Sequence, residues 1–394
     1  MLCALKTVVS LLNVSFSLLR KVQVPSMLKV AVSLALTSWL LFSAALQADT
    51  LKVFTWEGYF HPKEVKAVNQ LLHQKGYRYQ VEIIEPWAEG PEQMFNVMRS
   101  GRADITFLTL NYMKMQHEKL MNLLQPINTR SPRLTNYSQL APELVNIPMG
   151  MKDDQVYYIP WAGGAYGIWA NMDKLTPEEL PVSVNDLWQA RWKGKLSLSS
   201  GQIQPNIALA AMAMGQPPFF INDIQDYNLL SAYLDANSTL QVKLNQLYRQ
   251  VAMFWNSGPV FYEDVVLVAS YGPGASVANA QGGNWRLIQF KEGNTLWLDT
   301  INFHKHLTGR KLEAAEIFAN YFIGQQVQQR AAREFGLVPA SRLVAMSGSM
   351  SGSIDQSEQF FQTQMFWPPY RKAADNVMKM ISDKALAERD KEFP

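Results

Sequence analysis

In the first third of this 394-residue sequence, aromatic side chains stand beside acidic ones at two points, Trp56, Glu57 and Tyr59 and then Trp87 and Glu89, and a third point adds the polar Thr109 and Asn111. Aromatic faces attract cations and wall off apolar groups, and carboxylates supply counter-charge. Side chains of these types suit the holding of a small molecule. Catalytic patterns are missing by comparison. Five histidines (His61, His73, His117, His304, His306) show no metal-ligand spacing beyond His304-Lys305-His306, which reads as a pair on one solvated strand face. Gly272-Pro273-Gly274 lacks the third glycine and the helix opening of a dinucleotide-binding turn, and no Gly-Lys-Ser of a phosphate loop occurs. Gly348-Ser349-Met350-Ser351-Gly352 does not centre a serine in a nucleophile elbow. The reading is a binding protein without catalytic residues, metal or cofactor.

The elements that must position these groups alternate in type. Leu51 to Trp56 reads as a strand, Pro62 to Lys75 as a helix closed by Gly76, and Tyr79 to Ile84 as a strand. Pro91 to Ser100 sets Met94, Val97 and Met98 on one helical face, Gly101 ends it, and Ala103 to Leu108 forms a third strand. Right-handed crossovers then predict an open parallel sheet, with ligand beyond the carboxyl ends of the strands, where the three groups of side chains stand. Tyr158 to Tyr166 reads as a crossing strand with glycines that can hinge. Beyond it, Thr239 to Trp255 carries Leu240, Leu244, Leu247 and Val251 at helical spacing. Val265 to Ser270 and Trp285 to Phe290 read as strands, Leu312 to Ile323 and Gln326 to Phe335 as helices, and Ser347 to Ser353 as a loop before a C-terminal helical tail.

At the N-terminus, Met1 to Ala48 contain four basic residues (Lys6, Arg20, Lys21, Lys29), no acid, and an apolar run from Val30 to Ala45. This is an export-signal pattern over residues 1–48, and Met27 makes 1–26 a candidate upstream mis-start. Its removal turns 36 basic against 33 acidic residues into 32 against 33, so no basic surface argues for nucleic acid. The single cysteine, Cys3, lies in the same segment, leaving no disulfide or thiolate site downstream. The remaining length accommodates two domains.

Leu51-Lys-Val-Phe-Thr-Trp-Glu-Gly-Tyr59 resembles the opening strand of the periplasmic spermidine/putrescine-binding proteins, part of the extracellular solute-binding proteins. Ala103-Asp104-Ile105, Tyr158-Ile159-Pro160-Trp161, Asp186-Leu187-Trp188 with Lys193-Gly194, and Lys291-Glu292-Gly293-Asn294-Thr295-Leu296-Trp297-Leu298-Asp299 follow in that family's order. The resemblance spans roughly residues 51–343. It implies an α/β, two-lobed type II periplasmic binding fold, each lobe a sheet sandwiched by helices, with ligand in the cleft between lobes. The implied N-lobe comprises 49–161 and 299–342, and the C-lobe 162–298 and 343–394.

Carried over residue by residue, the resemblance implies that Trp56, Tyr59, Thr109, Tyr271, Trp297 and Asp299 line the cleft, with Glu89 a further acid near it and Asp299 the main ammonium partner. Trp161 and Trp255 read as structural. A polyamine needs apolar walls for its methylenes, π faces for its cations and carboxylates for its ends. One departure stands out in Ser199-Ser200-Gly201-Gln202-Ile203-Gln204, where Gly201 and Gln204 occupy positions at which the family is expected to carry carboxylates. Gln204 still accepts hydrogen bonds but brings no charge. The implied activity is periplasmic polyamine binding with delivery to an inner-membrane ABC permease. The alternatives are a periplasmic polyamine-sensing adaptor that regulates a membrane cyclic-di-GMP enzyme in biofilm signalling, and a binding protein for another small cationic or neutral solute.

Overall fold

The computed structural model describes residues 49–115, 119–256, 258–262, 264–345 and 360–391. The expected export segment over 1–48, His117 and the loop expected over 347–353 lie outside the described residues.

The first five elements are those expected: β1 (Asp49–Phe54), α1 (Pro62–Gln74), β2 (Tyr79–Ile83), α2 (Pro91–Arg99) and β3 (Ile105–Thr109). Local chemistry sets their ends. Pro62 stands in the first turn of α1, where its missing N–H is no loss. The His61 ring accepts from the Lys63 amide, and Glu64 accepts from the His61 amide at 3.1 Å, closing the helix start. Along α1, Val68 and Leu72 are spaced one turn apart and are fully buried.

A hairpin of β4 (Met151–Lys152) and β5 (Gln155–Val156) leads into β6 (Ile159–Asn171), all thirteen residues of which are buried. There follow β7 (Leu196–Ser199), α3 (Ile203–Ala213), α4 (Thr239–Tyr248), β8 (Val251–Trp255), β9 (Leu267–Tyr271), α5 (Gly272–Ala280) and β10 (Trp285–Leu287). The chain closes with β11 (Thr295–Phe303), α6 (Gly309–Phe322), α7 (Gln325–Phe335), β12 (Val338–Pro339) and α8 (Lys372–Asp390).

The main sheet runs β2-β1-β3-β11-β6-β9-β7-β8, with β10 and β12 also paired to β6. Two parallel-type halves, β1/β3 on one side and β9/β7/β8 on the other, are joined through antiparallel β11 and β6. Of the two joining strands, β6 changes partner along its length, from β11 and β12 to β9 and β10. β11 pairs with β6 from Thr295 to Ile301 along one edge and with β3 from Asp299 to Phe303 along the other. The sheet therefore continues without a break from one half to the other.

Three expectations are corrected. Thr239 to Trp255 is not one helix: α4 stops at Tyr248, and Val251 to Trp255 pair in parallel with β7, so strand pairing overrides the helical spacing of Val251. Gly272-Pro273-Gly274 does open a helix, α5, with proline in its first turn. His304 and His306 do not share a solvated strand face, because β11 ends at Phe303. His304 is buried against the Thr106 hydroxyl at 2.7 Å, and burial pushes its ring down to about 4, while half-exposed His306 meets Asp104 Oδ1 at 3.0 Å.

A buried ion pair fastens the loop after β1. Arg330 of α7 donates to Glu64 at 2.5 and 2.9 Å and to the Tyr59 carbonyl at 2.8 Å. The pair holds that loop from below. Arg330→Met leaves a buried carboxylate without its cation, and an unfolding free energy lower by about 3–5 kcal/mol is expected. Urea titration checks it, a midpoint shift at unchanged slope being the expected form.

Candidate ligand-binding cleft

Where the two halves meet, a cavity of about 380 Å³ opens at the carboxyl ends of β1, β3 and β9 and along β11. From the first half come Trp56 and Tyr59 after β1, Glu89 after β2, Thr109 at the end of β3, and Tyr112 one turn on. Crossing strand β11 supplies Trp297 and Asp299. The second half adds Gln202 before α3, Pro259, Tyr271 at the end of β9, and Pro273 and Gly274 in the first turn of α5. Trp367, from the segment leading to α8, completes the lining.

Asp299 is the first residue of β11 paired on both edges, opposite Thr109 of β3 and Ala162 of β6, and the β6 register slips by a bulge just after it. Bulges re-aim side chains, and this one falls beside the carboxylate. Asp299 is 2% exposed. The Tyr59 hydroxyl donates to its Oδ2, and among the described residues its Oδ1 is buried without a hydrogen-bond partner. Burial pushes the carboxyl up to about 6, with the Thr109 and Tyr59 hydroxyls holding it back. Burial first, and the neighbouring carboxylate second, push the Tyr59 phenol well above its usual range. Tyr59 therefore stays protonated and is the donor.

No Lys, Arg or His appears among the residues lining the cavity, and Asp299 and Glu89 are its charged members. Its walls are aromatic. Tyr271 stands 4.9 Å from Tyr166, 6.2 Å from Trp297 and 6.0 Å from Trp367 between ring centroids. Tyr59 leans on fully buried Trp161 at 4.3 Å. The expected lining residues Trp56, Tyr59, Glu89, Thr109, Tyr271, Trp297 and Asp299 are thus brought together.

Gln204 is not among them. It is the second residue of α3, and its side-chain amide donates to Asn222 Oδ1 at 3.4 Å, while Gln202 lines the cavity instead. Glu57, Trp87 and Asn111, also at strand ends, are not in the lining. Trp161 and Trp255 serve the core, their indole N–H groups donating to Phe322 O at 3.2 Å and Ala269 O at 3.0 Å. Tyr112, next to Asn111, and Gln202, inside the stretch that departs from the expected pattern, lay within reach of sequence reasoning. Trp367 carried no such signal.

The family model for bacterial extracellular solute-binding proteins matches residues 106–353. The spermidine/putrescine-binding periplasmic protein of Escherichia coli K12 is 26% identical over 304 residues, 75% of this chain and 79% of that protein. Among solved structures, the spermidine/putrescine ABC transporter substrate-binding protein PotD of Streptococcus pneumoniae aligns with a TM-score of 0.63 at 17% identity, covering 86% of this chain and 99% of that one. The solute-binding protein RafE, in complex with raffinose, aligns at 0.59 with 14% identity, covering 86% and 97%. These likenesses establish the two-lobed type II periplasmic binding fold. Ligand identity is a matter of the site.

Because burial raises Asp299 in the folded chain, its contribution favours folding in full below the unfolded carboxyl value near 4 and is lost as pH rises through about 6. The ionised, unpaired carboxylate then destabilises the empty protein by about 3 kcal/mol at neutral pH. Asp299→Asn is expected to raise the melting temperature of ligand-free protein at pH 7.5 and to leave it nearly unchanged at pH 4. Calorimetric melts at the two values check this.

Proposed function

The chain belongs to the bacterial extracellular solute-binding proteins, and from that premise we propose that it binds a polyamine of the spermidine, putrescine or norspermidine kind in the periplasm for delivery to an ABC importer. The observation that carries the ligand class is Asp299: a buried carboxylate with one oxygen unpartnered, in an aromatic cavity whose lining contains no cationic side chain. A buried anion is unfavourable unless a cation joins it. A neutral sugar brings no such charge, and an anion would meet Asp299 and Glu89 with no guanidinium to receive it. An alkyl ammonium supplies the missing charge through N–H donors and lays its methylenes on the indole and phenol walls. The spermidine/putrescine-binding periplasmic protein of E. coli, aligned over three quarters of this chain, supports the same reading.

Export through the 1–48 segment places the protein in the periplasm. The lobes, 49–161 with 299–342 and 162–298 with 343–394, close about the crossing strands. Ligand contacts come from Trp56, Tyr59, Glu89, Thr109, Tyr271, Trp297 and Asp299.

The test is titration calorimetry of the chain from residue 49 onward, refolded to remove carried ligand, against putrescine, spermidine, norspermidine and raffinose. Micromolar or tighter binding of an amine is expected, weaker by ~100-fold in Asp299→Asn. Since the ionised carboxylate is the binding form, affinity is expected to rise roughly tenfold between pH 5 and 7.5. Heat with raffinose and none with any amine would sink the assignment.

A further inference from the structure

The chain after residue 48 is nearly neutral, yet its charges are unevenly placed. Strands β1 and β3 run parallel and begin at one end of the first half, where β11, antiparallel to β3, finishes. Hydrogen bonds gather the neighbouring turns there. The His304 N–H donates to Asp104 O at 3.0 Å, and the Arg310 guanidinium donates at 2.7 Å to Gly76 O, in the turn entering β2. This end lies opposite the cavity, which opens at the carboxyl ends of the same strands.

Three turns bring cations to it. Lys75 and Arg78 stand before β2, Arg102 before β3 and Lys305 after β11, and all four are exposed. Nearby acids are engaged by other groups. Buried Asp104 meets Lys311 Nζ at 2.7 Å and His306 Nε2 at 3.0 Å, while Glu313 is shared by Arg310 at 3.6 Å, Arg133 at 3.9 Å and the Tyr77 hydroxyl at 2.8 Å. Among the described residues, no carboxylate pairs with Lys75, Arg78, Arg102 or Lys305. Exposed Asp49, at the start of β1, offsets one of the four.

The sequence leads to this same end from an apolar stretch. The run Val30 to Ala45 closes four positions before Asp49, where β1 begins, so the export reading of residues 1–48 sets lipid beside this end. Cations on separate turns match a plane of anionic headgroups, and each one near such a surface strengthens partitioning on the order of fivefold. We propose that this end of the first half is a docking surface for an anionic phospholipid membrane, on which the chain rests with its cleft turned away from the lipid. The surface is independent of which solute the cleft holds. Its attraction reaches about 8 Å at physiological ionic strength, so residues at this end feel it and the second half does not.

The test is sedimentation of the chain from residue 49 onward with vesicles of phosphatidylcholine, alone or mixed with phosphatidylglycerol. Binding is expected on mixed vesicles at low salt and not on neutral ones, with a loss of ~10-fold or more at about 1 M salt. Joint replacement by Arg78→Glu, Arg102→Glu and Lys305→Glu should weaken it ~100-fold or more. Lys195→Glu, Arg286→Glu and Lys372→Glu, exposed on the second half, change the net charge equally and should weaken it under about threefold. No cysteine follows residue 48, so an environment-sensitive dye on Ser100→Cys is expected to shift on mixed vesicles, and one on Glu57→Cys, at the opposite end of the sheet, to stay unchanged. Equal binding to both kinds of vesicle, equal loss in the two triple variants, or a dye shift at Glu57→Cys alone overturns the docking surface. So does binding to soluble poly-aspartate with none to vesicles, which assigns the cations to an acidic protein. Melting curves check folding, and if the first triple variant fails to fold, the lipid, salt and dye comparisons decide.

Discussion

A carboxylate in the middle of a buried strand, with no cation beside it in the cavity lining, is the constraint on which the cleft is built. Asp299 is held there because β11 serves both halves of the sheet, paired at that residue with β6 along one edge and with β3 along the other. Backbone pairing on both edges fixes the strand, and the bulge turns the side chain toward the cavity. The surroundings compensate only in part. Tyr59 supplies one hydrogen bond and Thr109 faces the carboxyl across the strand pair, so its ionisation stays unfavourable until charge arrives from outside. The buried carboxylate thus carries an electrostatic deficit at neutral pH, and a charge that relieved it would raise stability by the same interaction through which it bound.

The crossing strands also decide how closely the walls approach. Trp297 lies against Gly163 and Gly164 of β6. A Cβ on Gly163 would fall 2.5 Å from the Trp297 carbonyl oxygen, and one on Gly164 would fall 2.9 Å from the indole ring. The indole therefore rests directly on the neighbouring backbone, which only glycine allows. Beneath the opposite wall, Arg330 and Glu64 hold the loop that carries Tyr59, and Trp161 backs its ring. Trp297 and Tyr59, both in the cavity lining, are thus each set by a second group that does not reach the cavity.

Several features were legible in the residues. The β-α-β-α-β opening, the crossing strand with its glycines, and the gathering of aromatic and acidic side chains beyond strand ends followed from periodicity and turn chemistry. Period alone misread Val251, whose place on a helical stripe is also a place on a strand, and parallel pairing with β7 settled the matter. Gln204 was assigned through the resemblance, and the start of α3 at Ile203 turned Gln202 to the cleft in its stead. His304 and His306 were judged as a strand pair because the end of β11 at Phe303 carries no turn signal of glycine or proline.

By itself the sequence determined the types of chemistry available: aromatic faces and carboxylates at the ends of short strands, histidines without metal-ligand spacing, and a nearly neutral chain after residue 48. Local chemistry suffices there, because strand period, caps and breakers act over a few residues. The tertiary structure alone decided which of these groups meet. It buried Asp299 and so raised it to about 6, left Glu57, Trp87 and Asn111 outside the lining, and brought Trp367 in from a distant strap to stand beside Tyr271. Burial and meeting are properties of pairing between segments far apart in the chain, which no local pattern encodes.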